Sequence, residues 1–202
     1  LAERARVIVP WQPEVLGRLG RGLLYTLVLL AALVPFISPG YTTSLIRPRP
    51  GVQALAAGIE NLEPGRPVLV AVDYTPSYIG EMGPLTVTLA GQLARNGIPM
   101  LVMSTSPTGL GLAESVLLRA EAAPALTYGE DLLLLGYVPG QEAGLRSLVG
   151  GLRDAFSRDA IEERPLDEWP IASGVTALDD LEHIFVLTDD ALVMRRWIEQ
   201  VG

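Results

Sequence analysis

Three observations predict an α/β fold. Four short, mostly apolar runs, 68–72, 98–103, 131–137 and 183–188, are separated by segments whose apolar residues recur at helical spacing. The runs are apolar along their length rather than at alternate positions, the pattern of strands covered on both faces in a parallel sheet. And 202 residues are ample for one domain but short for two. The expected architecture is a small three-layer domain with a four-stranded parallel sheet, Rossmann-like or flavodoxin-like, preceded by one transmembrane helix.

The elements follow in chain order. Residues 1–21 form an arm with an apolar patch, Val7-Ile-Val-Pro-Trp11, and Trp11, Val15, Leu16 and Leu19 at a spacing that suits a short helix lying on a membrane surface; a plain flexible flank is the other reading. From Gly22 to Ile46 no residue is charged. A bilayer core of ~30 Å needs about 20 apolar residues as helix, so a span over 22–39 is expected. Pro35 kinks or ends it, and Tyr25, Phe36 and Tyr41 lie near its ends. A signal peptide flanked by Arg18 and Arg21, or a core helix of a globular domain, are the competing readings. The chain begins with Leu rather than Met, which fits a longer or processed polypeptide.

Residues 40–51 are rich in Pro and Gly and read as a stiff linker. The α/β domain is expected over 52–202. Apolar residues at 52, 55, 59 and 62 predict a first helix, broken by Glu63-Pro-Gly-Arg-Pro67. Val68-Leu-Val-Ala-Val72 is the first strand. A helix over 81–95 stops at Asn96-Gly97. The second strand is 98–103, with Pro99 confined to its unpaired start. A helix from Thr108 or Gly109 to about Ala120, a strand at 131–137 and a helix over 141–156 weakened by Gly144, Gly150 and Gly151 come next. The stretch 159–180 is polar and reads as loop, with a short helix near Thr176–Leu181. A fourth strand at 183–188 and a helix over Ala191–Val201 complete the chain.

Composition excludes several chemistries. Cysteine is absent, so disulfides, thiolate metal sites and a cysteine nucleophile are out. All 15 basic residues are Arg, so no lysine can serve a P-loop, a Schiff base or a Ser-Lys dyad. His183 is the single histidine. The net charge of −8 argues against nucleic acid as a partner. The charge is also uneven. Residues 1–21 carry four Arg against two Glu, +2, and the remainder eleven Arg against 21 acids, −10. Positive-inside logic puts the arm in the cytoplasm and the acidic domain outside the cell membrane, in a single-pass arrangement; Arg47 and Arg49 beyond the span weaken the contrast.

Parallel sheets of this kind bind ligands at the carboxyl ends of their strands. That rule selects four loops and a candidate ligand-binding rim of Asp73, Tyr74, Ser104, Thr105, Thr108, Gly109, Tyr137, Thr188 and Asp189. Asp73 suits a metal-binding carboxylate or general base, or simply a carboxylate that satisfies backbone N–H groups. Asp189 and Asp190 precede the last helix and suit an N-cap. Ser104–Gly111, with hydroxyls, glycines and a helix start, is the best small-anion candidate. Its Gly109-Leu-Gly111 lacks the third glycine of the dinucleotide fingerprint and follows the wrong strand. Gly-x-Ser-x-Gly is absent, and His183 begins a strand, at the opposite end of the domain from the loop hydroxyls. Asp73, Glu81 and Asp189 have the oxygens for Mg²⁺, but their spacing is not specific. No catalytic residue, metal or cofactor is therefore assigned. Trp169 and Trp197 read as packing residues, Trp197 alternatively as a contact to a partner or the membrane.

Val68-Leu-Val-Ala-Val-Asp-Tyr-Thr-Pro with Gly80-Glu81, Tyr128-Gly-Glu-Asp131 and Leu135-Gly-Tyr-Val-Pro-Gly-Gln-Glu-Ala-Gly144 resemble a group of uncharacterised bacterial membrane proteins. The resemblance covers about residues 45–200. It implies a doubly wound domain carried within a membrane protein and brings no activity with it. Together these readings lead to the expectation of a membrane-anchored accessory or scaffolding subunit. It would contact the lipid bilayer and other membrane-protein subunits through residues 1–46. The alternative is a hydrolase or transferase that binds a phosphorylated or other small molecule, or a ligand-sensing domain, using the carboxyl-end loops.

Overall fold

The computed structural model describes residues 18–37, 49–119 and 125–202, without the side chains of 18, 19 and 35. Most of the surface helix suggested by Trp11, Val15, Leu16 and Leu19, and most of the 40–51 linker, lie outside these residues; Leu19 falls at the start of the first helix. The chain divides into two compact units, Leu1–Gln53 and Ala54–Gly202.

In the first unit, α1 is Arg18–Ile37. It starts four residues before the span expected over 22–39 and ends two before it. Its large apolar side chains are exposed, Leu23 by 69% and Phe36 by 84%. Among the described residues no helix is long and apolar enough to cross a membrane.

The second unit is the α/β domain. Helix α2 (Pro50–Glu60) leads into it and buries Ile59. Pro50 and Gly51, assigned to the linker from sequence, are its first turn, where a proline needs no N–H partner. The elements then alternate: β1 (Val68–Val72), α3 (Ile79–Arg95), β2 (Met100–Ser104), α4 (Gly109–Glu114), β3 (Leu132–Tyr137), α5 (Glu142–Gly150), α6 (Leu152–Ala155), β4 (Ile184–Leu187) and α7 (Ala191–Val201). The sheet order is β3-β2-β1-β4 and every pair is parallel.

The three layers follow from period-two alternation along buried strands. Leu69, Ala71, Leu101, Met103, Leu133 and Leu135 face one side, where Leu145 and Leu148 of α5, Leu152 of α6 and Trp197 of α7 cover them. Val68, Val70, Val72, Met100, Val102, Leu132 and Leu134 face the other, under Leu89 and Leu93 of α3 and Leu112 and Ala113 of α4. Between Val102 and Met103 the register with β3 skips from Leu134 to Gly136, and Gly136 takes φ +137°, which glycine adopts freely.

Several boundaries differ from the sequence expectation, each for a local reason. The helix after β2 turns π-helical over Ser115–Arg119. The helix expected over 141–156 breaks between α5 and α6 at Gly150-Gly151, the residues of poorest helix propensity in the segment. The short helix expected near 176–181 is a 3₁₀ helix, Leu178–Asp180, and a second one, Leu166–Glu168, precedes it in the same loop.

The long connection from α6 to β4 must travel from one edge of the sheet to the other. A buried carboxylate gives it shape. Asp159 is 2% exposed. Its Oδ1 accepts the Arg164 N–H at 2.8 Å and the Trp169 Nε1–H at 3.1 Å. Its Oδ2 accepts the Tyr128 hydroxyl at 2.9 Å and the N–H groups of Ile161 and Glu162 at 3.0 and 2.7 Å. Tyr128 meets the Trp169 ring edge-on at 5.5 Å, and the Arg164 guanidinium stacks on that ring at 4.2 Å. Gly129 (φ +84°) passes so close that a Cβ there would sit 2.2 Å from a Trp169 ring carbon.

Burial alone would raise the Asp159 pKa; the donors from Glu162, Arg164, Tyr128 and Ile161 outweigh it and hold the group below its ordinary value. Burial and the neighbouring carboxylate push the Tyr128 hydroxyl well up, so it stays a donor. Because the Asp159 pKa is lower folded than unfolded, its stabilisation is complete above about pH 4 and is lost as pH falls through the folded value. Urea unfolding followed from pH 7 downward is expected to show this loss, and Asp159→Asn is expected to flatten the acid limb while costing about 3 kcal/mol at neutral pH. An unchanged acid limb in the variant would contradict the assignment.

Candidate functional site

All four strands are parallel, so their carboxyl ends open on one rim. In the order β3-β2-β1-β4 the chain steps outward from β1 to β3 and then returns to the far side of β1. The crevice of such a sheet therefore lies between β1 and β4.

Asp73 follows directly on β1, and the strand carries it to the rim. It does not face solvent: it is 4% exposed. Its Oδ1 accepts the Thr105 N–H at 2.6 Å and lies 2.8 Å from Ser104 Oγ. Its Oδ2 accepts the Thr105 hydroxyl at 2.7 Å and the Trp197 Nε1–H at 2.8 Å. Ser104 Oγ also lies 2.7 Å from the Val72 carbonyl and accepts the Ser106 N–H at 2.9 Å. The loop expected to hold an external anion thus holds the chain's own carboxylate.

Gly109 makes this possible. A Cβ there would sit 2.0 Å from Ser104 Oγ and 2.1 Å from the Val72 carbonyl oxygen. Its role is close approach of α4 to β1 and β2, independent of any dinucleotide motif.

The crevice itself is bridged. The Thr75 N–H donates to Asp189 Oδ1 at 2.9 Å, its hydroxyl to Oδ2 at 3.1 Å, and Thr75 Oγ1 lies 2.8 Å from Ser77 Oγ. The N-cap of α7 is Asp190, whose Oδ1 accepts the Leu192 N–H at 2.7 Å. Asp189 is left to make the clasp.

The structure therefore brings Asp73, Ser104 and Thr105 into one buried cluster and pairs Asp189 with Thr75. It does not gather the rest of the rim. Tyr74 is fully buried, its hydroxyl 3.3 Å from Thr86 Oγ1, and burial raises its pKa. Thr108 is exposed before α4, its Oγ1 3.3 Å from Ser106 Oγ. Tyr137 is exposed at the end of β3, and Thr188 Oγ1 accepts the Asp190 N–H at 3.1 Å. His183 precedes β4 at its amino end, exposed, its ring 4.8 Å from that of Phe185. Glu81 is exposed on α3. Among the described residues no group of three acidic or histidine side chains is placed to hold a metal ion.

Sequence reasoning missed Trp197 as a member of the Asp73 cluster and Asp159 altogether. A signal existed for the first. A tryptophan on an amphipathic terminal helix buries its ring, and its indole N–H must then find an acceptor.

Chemically, Asp73 is a buried acceptor that takes bonds from the Thr105 N–H and hydroxyl and the Trp197 indole N–H. Compared with protein-family models, curated proteins and solved structures, the chain gives no match.

Asp73→Asn puts an amide N–H₂ against the Thr105 or Trp197 donors. We expect a loss of about 3 kcal/mol in urea unfolding and a shift of the tryptophan fluorescence, from the stranded buried donors. A loss under about 0.5 kcal/mol, the range of an ordinary surface change, would refute the hub role.

Proposed function

We propose that the chain is a membrane-anchored, non-catalytic α/β module that serves as an accessory or scaffolding subunit of a membrane protein assembly. The observation that carries the reading is the internal use of the carboxyl-end polar groups. Asp73, Ser104, Thr105, Thr75 and Asp189, the side chains a ligand would need, are bonded to one another and to Trp197.

Anchorage is supported by α1. From Gly22 onward its residues are uncharged, and that uncharged stretch of the sequence continues to Ile46. Leu23, Leu24, Leu27, Val28, Leu29 and Leu30 are each more than half exposed. An apolar surface of that extent calls for lipid or a partner helix. The arginine excess of residues 1–21 supports a cytoplasmic arm, with the acidic domain on the outer side of the membrane.

A second reading places a small anion in the β1–β4 crevice, favoured by its position at the strand-order switch and by the Ser77 and Thr188 hydroxyls beside it. Binding there requires Thr75 to release Asp189. Inorganic phosphate would then raise the thermal midpoint of the protein, and no shift at millimolar phosphate would remove this reading.

For the first reading, a photo-reactive residue at Leu29 in native membranes is expected to cross-link to a second membrane protein. The double variant Leu27→Arg, Leu30→Arg is expected to move the chain from the membrane pellet to the supernatant, since each central arginine costs about 3 kcal/mol of insertion. A monomer in mild detergent without adducts, or pelleting unaffected by the two arginines, would overturn it.

A further inference from the structure

The two edges of the sheet differ. The β3 edge is covered by its own chain: the Ala160 N–H donates to the Leu134 carbonyl at 2.8 Å, the Gly129 N–H to the Leu132 carbonyl at 2.8 Å, and Tyr128 bridges to Leu132. The β4 edge is not covered in this way. Its ladder to β1 uses the odd-numbered residues, with the Leu69 N–H on the His183 carbonyl and the Asp73 N–H on the Leu187 carbonyl, both near 2.9 Å. The N–H and C=O groups of Ile184 and Val186 therefore point outward, and among the described residues they have no partner.

Natural edges are protected by brevity or by a charge, a proline or a bulge in the strand. Ile184-Phe185-Val186-Leu187 is short but carries no charge, proline or bulge, and Ile184, Val186 and Leu187 are partly exposed. A bare, β-prone edge of this kind is suited to receive another strand.

Charge decides which strand. The residues flanking β4 are acidic: Asp179, Asp180 and Glu182 before it, Asp189 and Asp190 after it, with Arg66 paired to Glu182. A second copy of this chain, running antiparallel about a two-fold axis, would set Glu182 of each against Asp189 and Asp190 of the other, acid against acid. A strand flanked by arginine or lysine meets complementary charge at both ends.

We infer that the outer edge of β4 is a docking edge for an extended, basic segment of a partner protein, which joins the sheet as a fifth strand. Main-chain bonds to Ile184 and Val186 supply the binding, and the flanking acids select the partner. The inference rests on reading the domain as a protein-binding module. Membrane anchorage plays no part in it, so release from membranes by the α1 arginines leaves it standing.

The test uses the full chain in a neutral detergent and, as probe, a short peptide alternating Arg and Val with blocked ends. Saturable binding is expected, weakened by salt. N-methylation of alternate peptide amides is expected to weaken it about tenfold or more, through lost main-chain bonds, and replacing Arg by Glu to abolish it. Amide exchange at Ile184 and Val186 is expected to be fast in the free chain and slow in the complex. Equal binding of the N-methylated peptide would reduce the effect to charge alone and overturn the inference. So would absence of binding, protection of both amides in the free chain, or a concentration-dependent dimer that protects them.

Discussion

A carboxylate out of water must be surrounded by donors, and Asp73 meets that demand by joining three elements that are far apart in the chain. Its oxygens take bonds from Thr105 after β2 and from Trp197 on α7, while its backbone continues β1. Leaving a buried charge short of donors costs several kcal/mol, so the loop after β2 and the last helix are held to the end of β1. Other features follow from this. Gly109 lacks a side chain because α4 must pass against Ser104 and Val72. Trp197 can be buried to 3% because its N–H has an acceptor.

Asp159 solves the same problem in the crossover. A connection with little regular structure has few backbone bonds of its own, and one carboxylate collects three of its N–H groups, an indole N–H and a phenol. Each of the two buried aspartates thus receives a tryptophan. The domain fixes its least regular parts with charge-assisted bonds from neutral donors, which does not require the lysines the sequence lacks.

Much of the fold is legible in residue pattern. β1 at Val68–Val72 and α7 at Ala191–Val201 stand where apolar runs and helical spacing put them, and the parallel sheet follows from strands apolar on both faces. The candidate site is less legible. The same rule that placed Asp73, Ser104 and Asp189 on one rim says nothing about whether their polar atoms face outward or bond to each other. Tyr74, adjacent to Asp73, turns into the core by the simple alternation of a strand. The break between α5 and α6 was visible only as Gly150-Gly151, a weakness that packing around Leu152 turned into a boundary.

Local sequence determined what depends on neighbours along the chain: the alternation of strand and helix, the helix stops, the uncharged stretch from Gly22 to Ile46, and the exclusion of cysteine and lysine chemistry. Tertiary structure alone decided what depends on distances between remote residues. These are the order β3-β2-β1-β4, the Thr75–Asp189 clasp, the pairing of Trp197 with Asp73 across 124 positions, and the bare edge of β4. The physical reason is that periodicity reports which face of an element is buried, whereas the partner of a buried polar atom is set by which elements the folded sheet brings side by side.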